Sequence, residues 1–243
     1  MPTFTRGETA LHYEVHGSGH PLLLLAPGGM RSSIPFWERS PFHPLTELVD
    51  QFQVIAMDQR NAGASRAPIS TADGWHTYTD DHLALLDDLG IECCHLHGGC
   101  IGGAFALSLI ARAPERVSAA VLQQPIGLTA TNRHVFYELF DGWANELRQT
   151  RRGVPEQAWA PFRSRMFDGE FVFSVDRDAV RACPVPLLVL RSVEHDEYHP
   201  QEISDEIVRL SPRAELVPEW KTGAAVGRAV QRVREFLAEH TPS

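Results

Sequence analysis

Residues 98–103 read Gly-Gly-Cys-Ile-Gly-Gly and join an apolar run at 94–97 to a helical run at 104–113. Small residues on both sides of one reactive side chain are what a sharp strand-to-helix elbow requires. A Cβ there collides with the neighbouring strand or the incoming helix. Cys100 stands at the centre, where such elbows usually carry a serine. A side chain so placed projects at a helix N-terminus, whose N–H groups and macrodipole favour thiolate over thiol. A free thiol titrates near pH ~8.5, so even a modest downward shift makes cysteine a nucleophile that depends on a base less than serine does. The same pattern also fits a glycine-rich turn holding a small packed cysteine, and the rest of the chain has to decide between the two.

The elements around the elbow alternate. Residues 11–15 alternate apolar and polar, and Gly17-Ser18-Gly19 then turns the chain into 22–26, which predicts a hairpin feeding a fully buried strand. Buried strands are predicted at 53–57, 94–98, 117–122 and 186–191, with a short one at 215–217. Helices are predicted at 75–89, 100–113, 200–210 and 226–239, the first stopped by Gly90 and the second by Pro114. Strands alternating with helices imply a mostly parallel sheet covered on both faces. Residues 124–183 break this rhythm with a run of aromatics that includes Phe136, Phe140, Trp143, Trp159 and Phe162. The division expected is a core of 1–123 and 184–243, with 124–183 inserted as a helical lid over the C-terminal edge of the sheet.

Composition bounds the partners. At 243 residues the chain is long enough for one large α/β domain, and its 43% hydrophobic and 22% charged residues are ordinary for a globular protein. A net charge of -9 argues against nucleic acid and anionic membranes, leaving a small-molecule substrate as the expected partner. No apolar stretch approaches a membrane span of about 18 residues. The N-terminus shows no export signal, and Cys93, Cys94, Cys100 and Cys183 have no metal-ligand spacing. Reduced thiols in a cytoplasmic protein are therefore expected, with no metal or organic cofactor called for. Oligomeric state stays open, a homodimer included.

Four motifs now fall in order. His16-Gly17-Ser18-Gly19 leads into Pro21 and the leucines before Ala26-Pro27-Gly28-Gly29. Asp58-Gln59-Arg60-Asn61-Ala62-Gly63-Ala64-Ser65 follows the next strand, then comes the elbow, then Val193-Glu194-His195-Asp196-Glu197-Tyr198-His199-Pro200. In this order they resemble the α/β-hydrolase fold family over essentially the whole chain. Pro27-Gly28 stands where the family has His-Gly, Asn61 replaces a glycine of D-x-R-G-x-G-x-S, and Gly99 and Cys100 replace the histidine and serine of G-H-S-x-G-G. The resemblance implies Cys100 as nucleophile, the backbone N–H groups of Gly29 and Ile101 as oxyanion donors, and Asp196 as triad acid. Met30 and Trp37 near the oxyanion loop, and His134, Phe140 and Trp143 in the insertion, are the residues expected to line a substrate pocket.

The departure lies at the C-terminal end. The family carries its histidine between the last strand and last helix, and here that loop reads Pro218-Glu219-Trp220-Lys221-Thr222-Gly223-Ala224-Ala225. Only His199 and His240 follow Asp196. His199 is the first substitute base, although a His-Pro pair before a helix also ends loops for structural reasons. His134 and His97 come next, with Lys221 in the vacant loop as a distant candidate and His195 beside Asp196. Without a base, a thiolate forms an acyl-enzyme that water cannot readily release. Three readings therefore stay open: a cysteine hydrolase of a small apolar ester, lactone or thioester; a lyase, isomerase or acyltransferase on the same scaffold; and a non-catalytic ligand-binding relative.

Overall fold

The computed structural model describes residues 2–151, 153–192 and 196–242. Eight strands form one sheet: β1 (Thr3–Arg6), β2 (Thr9–His16), β3 (His20–Leu25), β4 (Phe52–Met57), β5 (Cys94–Gly99), β6 (Val117–Gln123), β7 (Leu187–Leu190) and β8 (Ala214–Val217). Their order is β1-β2-β4-β3-β5-β6-β7-β8. The first two pairings, β1 with β2 and β2 with β4, are antiparallel, and every later pairing is parallel. The helices are α1 (Pro44–Glu47), α2 (Trp75–Asp88), α3 (Ile101–Arg112), α4 (Arg133–Thr150), α5 (Trp159–Phe167), α6 (Arg177–Arg181), α7 (Gln201–Leu210) and α8 (Ala224–Glu239).

The apolar runs of the central strands reflect burial on both faces. In β3, Leu23 and Leu25 enter the core that holds Phe105 of α3, while Leu22 and Leu24 enter the core that holds Phe236 of α8. Leu187 and Val189 of β7 oppose Leu188 and Leu190 in the same way. A period of two with apolar residues on both faces is the pattern of a doubly covered parallel sheet.

One expected pairing is absent. Residues 11–26 read as a hairpin, but β2 and β3 do not pair; β4 lies between them. The hairpin partner of β2 is β1, which the alternation did not reveal. Gly17 and Gly19, at φ +73 and +112, carry the chain past the entry to β4, and a Cβ on Gly19 would stand 2.7 Å from the Gln51 carbonyl oxygen. The glycines thus serve a crossing of chains and not a two-strand turn.

Between β6 and β7 the chain forms α4, α5 and α6. Phe140, Trp143, Phe162 and Phe167 pack mostly edge to face, with Phe140–Phe162 centroids 5.2 Å apart and Trp143–Phe162 centroids 5.8 Å apart. This aromatic cluster is continuous with the core on the α3 face of the sheet.

Candidate active site

The elbow is built at the C-terminal end of β5, in the middle of the sheet. Cys100 sits at φ 57, ψ -118, a conformation costly for a residue with a Cβ. Neighbouring bonds hold it there: its N–H donates to the Gln123 carbonyl at 2.9 Å, and its carbonyl accepts from Gly103 N–H at 3.1 Å. The flanking glycines are required by contact. A Cβ on Gly102 would overlap the Leu25 carbonyl, one on Gly98 the Gly102 carbonyl, and one on Gly99 would lie 2.9 Å from the Trp37 ring. The strand, the helix and the loop after β3 therefore pack closely around the elbow backbone.

Asp196 and His199 come from the turn between β7 and α7. His199 Nδ1–H donates to Asp196 Oδ2 at 2.9 Å. The backbone N–H groups of Tyr198 and His199 donate to Asp196 Oδ1 at 2.9 and 2.7 Å. Burial opposes the Asp196 charge, but these hydrogen bonds outweigh it and hold the carboxyl below its ordinary range. The other ring nitrogen, Nε2, is buried and makes no hydrogen bond of standard geometry. The charge facing it is the Cys100 sulfur. In the resting arrangement the two are thus paired electrostatically, without the aligned hydrogen bond that a bound substrate can tighten.

The electrostatics agree from both ends. Burial alone would push the Cys100 thiol up, but the His199 imidazolium, with the N–H groups of Ile101 and Gly28, holds it below the ordinary thiol value. Burial alone would pull His199 down, but the Cys100 thiolate and the Asp196 carboxylate push it up to about 10. At Cys94 burial wins, and with Cys93 beside it the thiol is pushed up to about 12. The favoured charge state is a thiolate–imidazolium pair whose two titrations are coupled.

The remaining histidines sort by position. His97 is fully buried beneath the elbow, donates from Nε2 to Gln123 Oε1 at 2.9 Å, and is pulled down by burial to about 4, so it stays neutral and packed. His134 lies on the exposed side of α4, where its Nδ1–H donates to the Thr131 carbonyl at 3.0 Å. His240 caps α8 through the Phe236 carbonyl at 2.8 Å. His195 lies outside the described residues. In the loop after β8, Trp220 fills the space, fully buried, with its indole N–H donating to the Arg191 carbonyl at 2.6 Å. That bond ties the histidine-free loop to the base of the turn that carries His199.

A cavity of about 230 Å³ opens on Cys100 and His199. Its walls are Phe36, Arg39 and Ser40 from the loop after β3, Gln124 after β6, and Trp220 and Lys221 after β8. The five residues expected at the pocket are elsewhere. Met30, Phe140 and Trp143 are buried in the α3-side core, Trp37 is buried under Gly99 in the opposite core, and His134 faces outward from α4. Large apolar side chains near a loop were more useful as packing, and the pocket took the more polar neighbours Arg39 and Gln124 instead. Gly28 was also missed as a donor, since its N–H reaches the sulfur. Gly29 opens a 3-10 turn at φ 59, so its own N–H has no helical acceptor, and the Leu139 side chain of α4 lies against it.

A model of the α/β hydrolase fold matches residues 21–217. The chain belongs to the α/β-hydrolase family. This α/β hydrolase is 32% identical to the 2-hydroxymuconate semialdehyde hydrolase of Pseudomonas sp. strain CF600, over 92% of this chain and 88% of that protein. It is 34% identical to the putative carbamate hydrolase RutD of Azorhizobium caulinodans over 50% of this chain. That match spans only 43% of the RutD length. Among solved structures, the enol-lactonase of Burkholderia xenovorans LB400 superposes with a TM-score of 0.71 at 20% identity, covering 98% of this chain and all of that one, which speaks for the fold alone. The relatives named here are hydrolases.

Proposed function

We propose that this α/β hydrolase cleaves a small ester, lactone or thioester with Cys100 as nucleophile, His199 as general base and acid, and Asp196 as the residue that positions His199. The single observation that carries this reading is the doubly engaged imidazole: Nδ1 held by Asp196 at 2.9 Å, Nε2 buried and facing the sulfur. The absent histidine of the last loop is thereby replaced by a base from the acid's own turn. A silent binding protein needs no such arrangement, and an acyltransferase that shares it differs only in the nucleophile that takes up the acyl group.

The chemistry follows from the charges. The Cys100 thiolate adds to the substrate carbonyl, forming the C–S bond, and the oxygen that gains the electron pair is received by the N–H groups of Ile101 and of Gly28 or Gly29. As the tetrahedral species collapses, the imidazolium of His199 gives its proton to the leaving oxygen or sulfur. The acylated sulfur no longer carries charge, so the influence that raised His199 most is gone, and the ring is left neutral. It then takes a proton from water, whose oxygen adds to the thioester carbonyl. Expulsion of the thiolate releases the acid and restores the ion pair. The helical segment 124–183 acts in this reading as a lid, because Leu139 of α4 covers the Gly29 side of the site.

The test is intact-protein mass spectrometry with 4-nitrophenyl acetate. A mass increase of one acetyl group on Cys100 that appears and then decays supports the reading. A His199→Ala protein should acylate slowly and retain the adduct. Absence of any Cys100 adduct in the wild type, with turnover unaffected in Cys100→Ala, would overturn it.

A further inference from the structure

The catalytic reading leaves one wall of the cavity unused. Arg39 ends the 3-10 helix Ile34–Arg39 and lines the same cavity as the Cys100 sulfur. Its guanidinium stacks over the Phe36 ring at 4.9 Å. It has no hydrogen-bond or carboxylate partner among the described residues. That is unusual in this chain, whose net charge is -9 and whose Arg31, Arg60, Arg148 and Arg177 all pair with carboxylates. Lys221 adds a second cation to the wall, and no Asp or Glu is among the residues lining the cavity.

An arginine held against an aromatic ring keeps donors available while losing little rotamer freedom on binding. A guanidinium edge matches a carboxylate in two parallel hydrogen bonds. Set beside an electrophile-seeking sulfur, such a group selects which carbonyl compounds dwell at the nucleophile.

We propose that Arg39 is a specificity-determining residue that reads an anionic group, so that the substrate is a small ester, lactone or thioester carrying a carboxylate a few atoms from its scissile carbonyl. This rests on the nucleophile reading above and narrows it. The carboxylate docks on Arg39 at the cavity wall while the carbonyl enters between the sulfur and the oxyanion donors. Because Arg39 is exposed, the interaction is screened by salt and modest in size.

The test uses two alkylating reagents of nearly equal size, iodoacetate and iodoacetamide, with the adduct located on Cys100 by peptide mass spectrometry, since Cys93 is also half-exposed. The quantity read is the ratio of the two rates at Cys100. We expect the iodoacetate preference to fall about 3- to 5-fold in Arg39→Gln, to be largely retained in Arg39→Lys, and to shrink with added salt. An equal ratio in wild type and Arg39→Gln would overturn the proposal, as would an equal fall in Arg39→Lys, which would make shape and not charge the cause. The ratio is readable whatever the absolute rates. Ordinary thiol rates with both reagents would count against the Cys100 nucleophile, and only a change in the ratio speaks to Arg39.

Discussion

Asp196 and His199 lie three residues apart on one turn, and the carboxylate of the first holds Nδ1 of the second at 2.9 Å while Nε2 faces Cys100. Carboxylate and imidazole thus arrive from a single turn, and the loop after β8, where the family keeps its histidine, is filled by the buried Trp220. The two loops are joined by the Trp220 indole bond to the Arg191 carbonyl.

The base should be separable from the acid. His199→Ala should lower kcat for an activated ester by about 10²–10⁴-fold, the range for removing a general acid–base. Asp196→Asn should also lower it, by disturbing the ring's orientation and charge, but leave measurable activity. Steady-state kinetics of the two variants on 4-nitrophenyl acetate check this, and equal activity of His199→Ala and wild type would exclude the residue as base.

The charge pair has a stability signature with a definite sign. His199 is raised to about 10 from 6.5, so its protonated ring contributes fully below pH 6.5 and that contribution is lost as pH rises through about 10. Cys100 is lowered, so its thiolate contributes above the ordinary thiol range and the contribution is lost as pH falls through the folded value. In Cys100→Ala the His199 titration, followed by ring-proton NMR, should move down from about 10, because the thiolate that raises it is gone. An unmoved titration would mean that the sulfur and the ring do not interact.

The elbow should tolerate no Cβ. Gly102→Ala places a methyl group on the Leu25 carbonyl, and Gly98→Ala places one on the Gly102 carbonyl, in both cases against backbone. Each should cost several kcal/mol or leave insoluble protein, at the upper end of single-site effects. Gly90→Ala is the comparison: it sits at φ +67 with open space around its Cβ position, so only backbone strain of about 1 kcal/mol is expected. Thermal unfolding of the three variants measures the difference.

Buried charge supports the second motif. Arg60 is 5% exposed, bonds Asp81 at 2.8 Å and lies 3.4 Å from Asp73. Arg60→Leu should destabilise by about 3–5 kcal/mol, because Asp73 loses its buried cation and Asp81 keeps only the half-exposed Arg6 at 3.1 Å. Chemical denaturation should report this loss, and the Asp81→Asn, Arg60→Leu double variant should recover part of it.

Much of this was legible in the chain because glycines and apolar runs answer to local geometry. The elbow glycines exist to avoid particular carbonyls, and the leucines of β3 are buried on two faces, so pattern and cause coincide. Asn61 also fits its motif, adopting φ 61 where the family has glycine, with Oδ1 accepting from Ala67 N–H at 2.9 Å. The separation of β2 from β3 was not legible, because β4 inserts between them from residues far along the chain. The part played by His199 was only half legible. An Asp-x-x-His spacing in a loop says nothing about where the ring points until α7 and the elbow are placed around it. The pocket walls were least legible of all, since Trp37 and Phe140 have the chemistry of a pocket lining and the packing of a core.

The pH dependence of Cys100 alkylation by iodoacetamide, with the adduct quantified on Cys100, tests the thiolate–imidazolium pair most directly. The rate should rise with a midpoint below the ordinary thiol value. In His199→Ala the midpoint should return upward toward or beyond the ordinary thiol value of about 8.5. A wild-type Cys100 that titrates at or above that value, with no response to His199→Ala, would contradict the pair and the catalytic reading built on it.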